Sequence, residues 1–240
     1  MTIYYSEPVK LEIVGRSVFV NGEVKEFSVR NFSELNEVLM KRQQVLNDFP
    51  LYFMFRSIVV KEGLRYDITI IPPRRIDGEY AKTYGHYHPL AENGLSYPEA
   101  YQILEGRALF VLQKPRSDAS VDVMVTYGEK GQAVLIPPNW GHNTINASPD
   151  KVLILGNLVA DGFESDYSAY KKDLGAAYYV TDFGLEPNGN YVVRKTEKLK
   201  ASDLNAKYGF ECPDLLKEFW ANPGKFEFLK KPSLITGRSA

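Results

Sequence analysis

The chain has 240 residues, with 30 acidic and 29 basic side chains interspersed and a formal net charge of −1. Such a balance offers no basic face to nucleic acid and no polybasic segment to a membrane, which leaves a small molecule as the expected partner. The single cysteine, Cys212, excludes an internal disulfide and agrees with a reducing compartment. Set just before Pro213, it reads as a buried structural thiol. The opening MTIYYSEPVKLEIVG lacks the basic and apolar regions of a signal peptide, and no apolar run approaches the roughly 18 residues of a membrane span. A cytoplasmic location is expected.

Residues 8–29 alternate as a hairpin, Lys10–Val14 and Ser17–Val20, turning at Val14-Gly15-Arg16, with a second turn at Asn21-Gly22. Residues 33–46 predict a helix, with Ser33 as N-cap, Glu34 in the first turn, Leu35, Val38, Leu39 and Leu46 near one face, and Pro50 as its stop. From Leu51 to Ile71 the pattern is β, and the charged Arg74–Glu79, with Asp77-Gly78, reads as a loop. Tyr80 to Val159 predicts one antiparallel barrel. Its strands fall at Tyr84–His88, Ala100–Leu104, Ala108–Leu112, Val121–Thr126, Ala133–Ile136, Asn143–Asn146 and Val152–Leu158, with turn residues between them. Beyond residue 160 the pattern predicts a helical turn at Ser165–Lys172 and strands at Tyr178–Val180 and Tyr191–Val193. A final helix over 213–222 carries Leu215, Leu216, Phe219 and Trp220 on its apolar side. These elements are expected to pack on the barrel, making residues 1–240 one domain with a core barrel at about 52–160, an N-terminal extension over 1–51 and a C-terminal extension over 161–240.

All three histidines lie in two segments. Thr83–Glu105, TYGHYHPLAENGLSYPEAYQILE, holds His86 and His88, and Gly131–Asn146, GQAVLIPPNWGHNTIN, holds His142. Residues i and i+2 of a strand share a face, so His86 and His88 can present imidazoles to one ion. Two carboxylates could join them. Glu92 follows His88 within a turn-like segment, whereas Glu99 begins a strand-like run with Tyr101 and Ile103 on its face, and Glu99 is the favoured ligand. Three imidazoles and a carboxylate suit Fe²⁺, Mn²⁺, Ni²⁺ or Zn²⁺ and leave coordination positions open for catalysis.

The first segment resembles the first cupin motif, a His-x-His followed by Glu and then by Gly seven residues on: His86, His88, Glu99 and Gly106, with a longer spacer before the acid. The second, Gly131 to Pro137 with His142 to Asn146, is similar to the second cupin motif, with Asn139 where a glycine is usual. The resemblance implies an all-β fold, the cupin double-stranded β-barrel or jelly roll, with helical and strand extensions. A narrower match resembles the cupin-type glucose-6-phosphate isomerases of archaea and some bacteria. It rests on Thr69 to Pro73, Thr83, Gly85-His86-Tyr87-His88, Glu99-Ala-Tyr101 and Pro137-Pro-Asn-Trp-Gly-His142 through Asn146.

That narrower resemblance implies His86, His88, Glu99 and His142 as ligands of one divalent metal per chain. It further implies Thr69, Thr83 and the Gly85 amide around the substrate phosphate, Tyr101 and Tyr167 facing the sugar beside Glu99 as catalytic groups, and a homodimer. Strict alternation would put Thr83 and Gly85 opposite His86, so a bend or bulge near Gly85 is required if both are to reach one cavity. Arg74 and Arg75 could close over the phosphate as charged partners. The chain departs from the family at Asn157-Leu158, where a tyrosine usually reaches the phosphate, and at Ser165, where a histidine is common. The expected reaction interconverts glucose 6-phosphate and fructose 6-phosphate, in glycolysis and gluconeogenesis, either through an enediol with Glu99 carrying the proton or by a direct hydride shift. The alternatives are an isomerase of mannose 6-phosphate or an unphosphorylated aldose, a metal-dependent dioxygenase with the same ligands, and a non-catalytic sugar-binding protein.

Overall fold

The computed structural model describes residues 2–236. Two sheets form opposite walls of a barrel. The six-stranded wall runs Ala133–Ile136, Glu99–Glu105, Leu153–Ala160, Leu64–Ile71, Pro50–Lys61 and Ser28–Asn31, each strand antiparallel to its neighbour. The four-stranded wall is Gly141–Asn146, Arg107–Pro115, Val121–Glu129 and Val193–Lys200, the last parallel to the strand beside it. The fold is an all-β jelly roll of the cupin kind. Each wall takes its outermost strand, Ser28–Asn31 or Val193–Lys200, from beyond the central 52–160 segment.

The two-residue period of a strand sorts side chains between two cores. In Glu99–Glu105, Tyr101 and Ile103 join the barrel interior with Phe110, Ile145 and Leu155. Ala100 and Leu104 fall on the outer face instead. That outer face is covered by Tyr5, Leu11, Ile13 and Val18 of the N-terminal strands and by Leu215, Leu216, Phe219 and Phe226 near the C-terminus. Leu153–Ala160, buried on both sides, is apolar at nearly every position, whereas Leu64–Ile71 alternates, with Leu64, Tyr66, Ile68 and Ile70 on the outer face and Arg65 and Thr69 on the inner one. Each Leu or Phe fully removed from water in this layer contributes roughly 1.5–3 kcal/mol. Gln102 is a buried polar residue on this face. Its Oε1 accepts the Tyr5 hydroxyl at 3.1 Å and the Leu215 amide at 2.9 Å, while its Nε2 donates to the Pro213 carbonyl at 2.9 Å. Cys212 is buried and unbridged, and burial pushes its thiol up to about 12, in keeping with a structural role.

Several elements differ from expectation for local reasons. The helix expected over 33–46 is a single turn, Phe32–Leu35, followed by a 3₁₀ turn, Asn36–Val38. Ser33 does not cap it; its amide and hydroxyl bind Asp48, and Asn36 exchanges hydrogen bonds with the Gln43 backbone. These side-chain bonds draw the chain out of the helix and leave Leu46 77% exposed. Pro50 opens the longest strand instead of closing a helix. Arg74–Glu79 is not a simple loop, because Arg75–Ile76 and Glu79–Tyr80 pair across Asp77-Gly78 as a tight hairpin. The strand expected at Tyr191–Val193 starts at Val193 and continues to Lys200. Trp220, expected on the buried side of Leu215–Ala221, is 41% exposed, and that helix is followed by Pro223–Leu229 and Ser233–Thr236.

The most consequential difference lies at Tyr84–His88. The expected strand is a broken run of bridges, Lys82 to Ile145, His86 to His142 and Tyr87 to Asp166. Gly85 interrupts it with a φ of 90°. A Cβ at this position would lie 2.3 Å from a ring carbon of Tyr170. Gly85→Ala therefore combines a left-handed backbone with a steric clash, and should lower stability by about 2–5 kcal/mol, read as a reduced urea midpoint relative to the unaltered protein.

Candidate metal centre and cavity

The bend at Gly85 lets the segment turn over the mouth of the barrel. Before it, the Thr83 amide donates to the Thr144 carbonyl; after it, His86 and His142 exchange both backbone hydrogen bonds, at 3.1 and 3.0 Å. This exchange fixes the two histidines opposite each other, with ring centroids 4.6 Å apart. His88 follows on the same segment, and Glu99 comes from the facing wall, between Ile136 and Val159. His86, His88, Glu99 and His142 thereby offer ligand atoms that all lie within 4.8 Å of one another.

The donor atoms are specific. Nε2 of His86 lies 3.1 Å from Nε2 of His88. Glu99 Oε2 is 3.2 Å from His142 Nε2 and 3.5 Å from His88 Nε2. The His88 Nδ1 faces the Tyr97 carbonyl at 2.9 Å. A carbonyl can only accept, so Nδ1 carries the proton and Nε2 presents its lone pair to the centre. Glu99 Oε1 accepts from Asn157 Nδ2 at 2.7 Å, whereas Oε2 is buried without a hydrogen-bond partner. Ligands on bonds of ~2.1 Å to one ion stand about 3.0–3.4 Å apart, close to the separations found here. Electron-rich atoms packed this closely repel one another unless a cation or protons lie between them. The group fits a divalent ion and could hold one.

Electrostatics favour the ligand form. Burial, reinforced by the neighbouring His142 and His88, holds His86 well below the usual histidine value. Burial likewise depresses His88 to about 4. Burial pushes the Glu99 carboxyl up, but the adjoining His142 and His88 outweigh it and leave the group below its ordinary value. Tyr101 is raised well above 10 by burial and by Glu99, so its hydroxyl stays protonated 3.1 Å from His142 Nε2.

His86, His88 and Glu99 border a cavity in the barrel mouth, and Thr69, Thr83, Gly85, Tyr101, Tyr167 and Ser165 line it too. Thr83 Oγ1 accepts the Thr144 amide at 2.9 Å, so its O–H remains available as a donor. Tyr167 packs its ring against His86 and, edge-on, against Tyr84. Glu92 is elsewhere, accepting the amide and hydroxyl of Ser233. Arg74 lies over the Phe49 ring and Arg75 pairs with Asp182 and Tyr80, so the arginines expected to close on the phosphate are engaged outside the cavity. The lining also includes polar residues that the sequence does not mark for this position, Arg56, Arg65 and Asn157, the last known only as a departure from the family. Their signal lay in strand parity, since Arg56 shares a face with Tyr52 and Met54, Arg65 with Thr69, and Asn157 with Leu155 and Val159.

The model of the glucose-6-phosphate isomerase (GPI) family matches residues 31–198. The glucose-6-phosphate isomerase of Thermococcus litoralis is 32% identical over 201 residues, covering 81% of this chain and 97% of that protein. The glucose-6-phosphate isomerase of Thermococcus onnurineus (strain NA1) is 26% identical over 174 residues, covering 70% and 86%. Among solved structures, the oxalate decarboxylase of Lactobacillus farciminis, in its formate complex, has 18% identity and a TM-score of 0.37 over 50% of this chain and 32% of its own. Among the described residues, no helix is long and apolar enough to cross a membrane.

Two outcomes follow from the geometry. Glu99→Gln should lower bound metal, measured by elemental analysis after dialysis, by at least about tenfold, since a neutral amide is a poorer ligand, whereas Glu92→Gln should retain it. In chelator-treated protein, stability should fall as pH drops from about 6.5 towards 4. The sign follows from proton counts: unfolded histidines charge near 6.5 and the folded His88 only near 4, so in that window the unfolded chain binds more protons. The loss from His88 is on the order of 3 kcal/mol, measurable as urea midpoints across the range.

Proposed function

The chain belongs to the cupin-type glucose-6-phosphate isomerase family, and from that premise we infer that it interconverts glucose 6-phosphate and fructose 6-phosphate. The observation that carries this reading is the gathering of ligand atoms from His86, His88, Glu99 and His142 within 4.8 Å of one another, the first three at the wall of a cavity that Thr69 and Thr83 also line. One divalent ion per chain, Fe²⁺, Mn²⁺, Ni²⁺ or Zn²⁺, would be held by these four side chains and would supply Lewis-acid stabilisation of charge on the sugar oxygens.

The remaining work falls to the protein. Thr69, the free O–H of Thr83 and the Gly85 amide suit the phosphate, because hydroxyls and N–H groups donate to its oxygens. Tyr101, kept protonated, donates to an oxygen at the reacting end of the sugar, and Tyr167 forms an aromatic wall beside it. Glu99 is poorly suited to carry a proton between carbons, since Asn157 occupies one oxygen and the histidines surround the other. This arrangement favours transfer of the C2 hydrogen to C1 with its electron pair, while the C2 hydroxyl loses a proton and the C1 oxygen gains one.

The setting follows from the chemistry of the substrate. A doubly charged sugar phosphate does not cross a bilayer unaided, which supports a cytoplasmic enzyme of glycolysis and gluconeogenesis. Both extensions cover the same wall, which supports residues 1–240 as one cupin domain. A homodimer would give cover to the exposed Ile3, Val24 and Phe27 of the N-terminal segment.

A coupled assay of fructose 6-phosphate to glucose 6-phosphate conversion tests the assignment. Activity should fall at least about a hundredfold on chelation, as expected when a Lewis acid worth several kcal/mol is lost, and should return with one or more of the four ions. Run in deuterium oxide, the reaction should give product with little deuterium at the migrating position; extensive incorporation would restore the enediol route.

A further inference from the structure

Among the described residues, the cationic side chains lining the cavity are Arg56 and Arg65. Arg56 sits where pairing between Pro50–Lys61 and Leu64–Ile71 slips, between Phe55 and Val59. The next residue, Ser57, has a φ of 56°, a left-handed backbone that a serine adopts only at a cost. A bulge of this kind re-aims a side chain at the rim of a barrel.

Asp67 holds the bulge in place. It is 2% exposed, and its Oδ1 accepts the Ser57 amide at 2.7 Å. Its Oδ2 accepts Arg56 Nη1 at 3.2 Å and Arg65 Nε at 3.0 Å. One buried carboxylate thus serves a strained amide and two guanidinium groups. Arg65 has a second acid nearby, Asp161 at 3.5 Å. Among the described residues Arg56 pairs with Asp67 alone, and its side chain is 46% exposed.

The free part of Arg56 points in an informative direction. Its Nη2 lies 3.5 Å from Met54 Sδ, a weak acceptor. Met54 is the direct partner of Thr69 on the neighbouring strand. The guanidinium therefore lies beside the residue that pairs with Thr69, and its Nη2 meets only a thioether sulfur among the described residues. A phosphate dianion entering a partly buried cavity needs charge-assisted donors, and a guanidinium matches two phosphate oxygens at once.

We propose that Arg56 is the cation that binds the phosphate of the hexose 6-phosphate, with Asp67 and the Ser57 bulge as its positioning device. This rests on the isomerase assignment above. Arg56 acts on binding and specificity, at a distance from the reacting carbons.

The test compares the full-length, metal-loaded protein with Arg56→Gln and Arg56→Lys, using fructose 6-phosphate for kinetics and inorganic phosphate as a probe in titration calorimetry. Arg56→Gln should raise KM about tenfold to a hundredfold, with a smaller fall in kcat, and should weaken inorganic phosphate binding by a similar factor. Arg56→Lys should recover part of both losses, because it restores charge without the paired donors. Arg56→Met serves in its place should the glutamine variant fail to fold. Phosphate affinity within twofold of the unaltered protein in the Gln or Met variant would overturn the proposal, whatever the turnover. If the unaltered protein binds phosphate through Arg56 yet does not isomerise the sugar, the isomerase assignment fails and the proposal for Arg56 stands.

Discussion

Four electron-rich side chains meet in a nearly dry space, and the protein spends much of its construction on keeping them there. Left to themselves, three imidazole nitrogens and a carboxylate oxygen at separations near 3 Å would move apart. Two are placed by their backbone and two are held by a contact on the side away from the centre. The backbone exchange between His86 and His142 fixes two of them, the Tyr97 carbonyl orients His88, and Asn157 grips the far oxygen of Glu99. Orienting contacts of this sort set which atom faces the centre, and so determine what the centre can hold.

Strand register then lays out the rest of the cavity as rows across the six-stranded wall. Tyr101, Asn157 and Asp67 stand side by side on three adjacent strands, and Glu99, Val159 and Arg65 form the next row. The histidines enter from the opposite side on a segment that is barely a strand at all. A regular strand there would have sent Thr83 and Gly85 to one face and His86 to the other. The break at Gly85, a position that Tyr170 leaves no room to alter, lets Thr83, Gly85 and His86 all border one space.

Much of this was legible because it rests on short-range rules. His86 and His88 announce themselves by spacing, Glu99 by heading a strand with Tyr101 and Ile103, and the need for a bend at Gly85 by parity once the family resemblance assigns Thr83 and Gly85 to the same cavity as His86. What escaped depends on partners distant in the chain. Arg56 and Arg65 carry no mark of their own in a β run until Asp67 gathers them, and Asn157 looked like a mere departure until its amide was found on Glu99. Arg74 and Arg75 erred in the other direction: their proximity in sequence to the cavity segment gave way to Phe49 and Asp182. The helix expected over 33–46 had the right period but lost to side-chain bonds from Ser33 and Asn36.

Gln102 carries a consequence of a different kind. It sits between Tyr101 and Ile103 but faces the opposite way, and its one carbonyl oxygen takes hydrogen bonds from both Tyr5 and Leu215. The beginning and the end of the fold are thus knotted to the back of the strand whose front carries Glu99. Loosening either extremity strips a donor from an amide one residue away from the cavity wall, so the tails and the chemistry are two sides of a single ribbon.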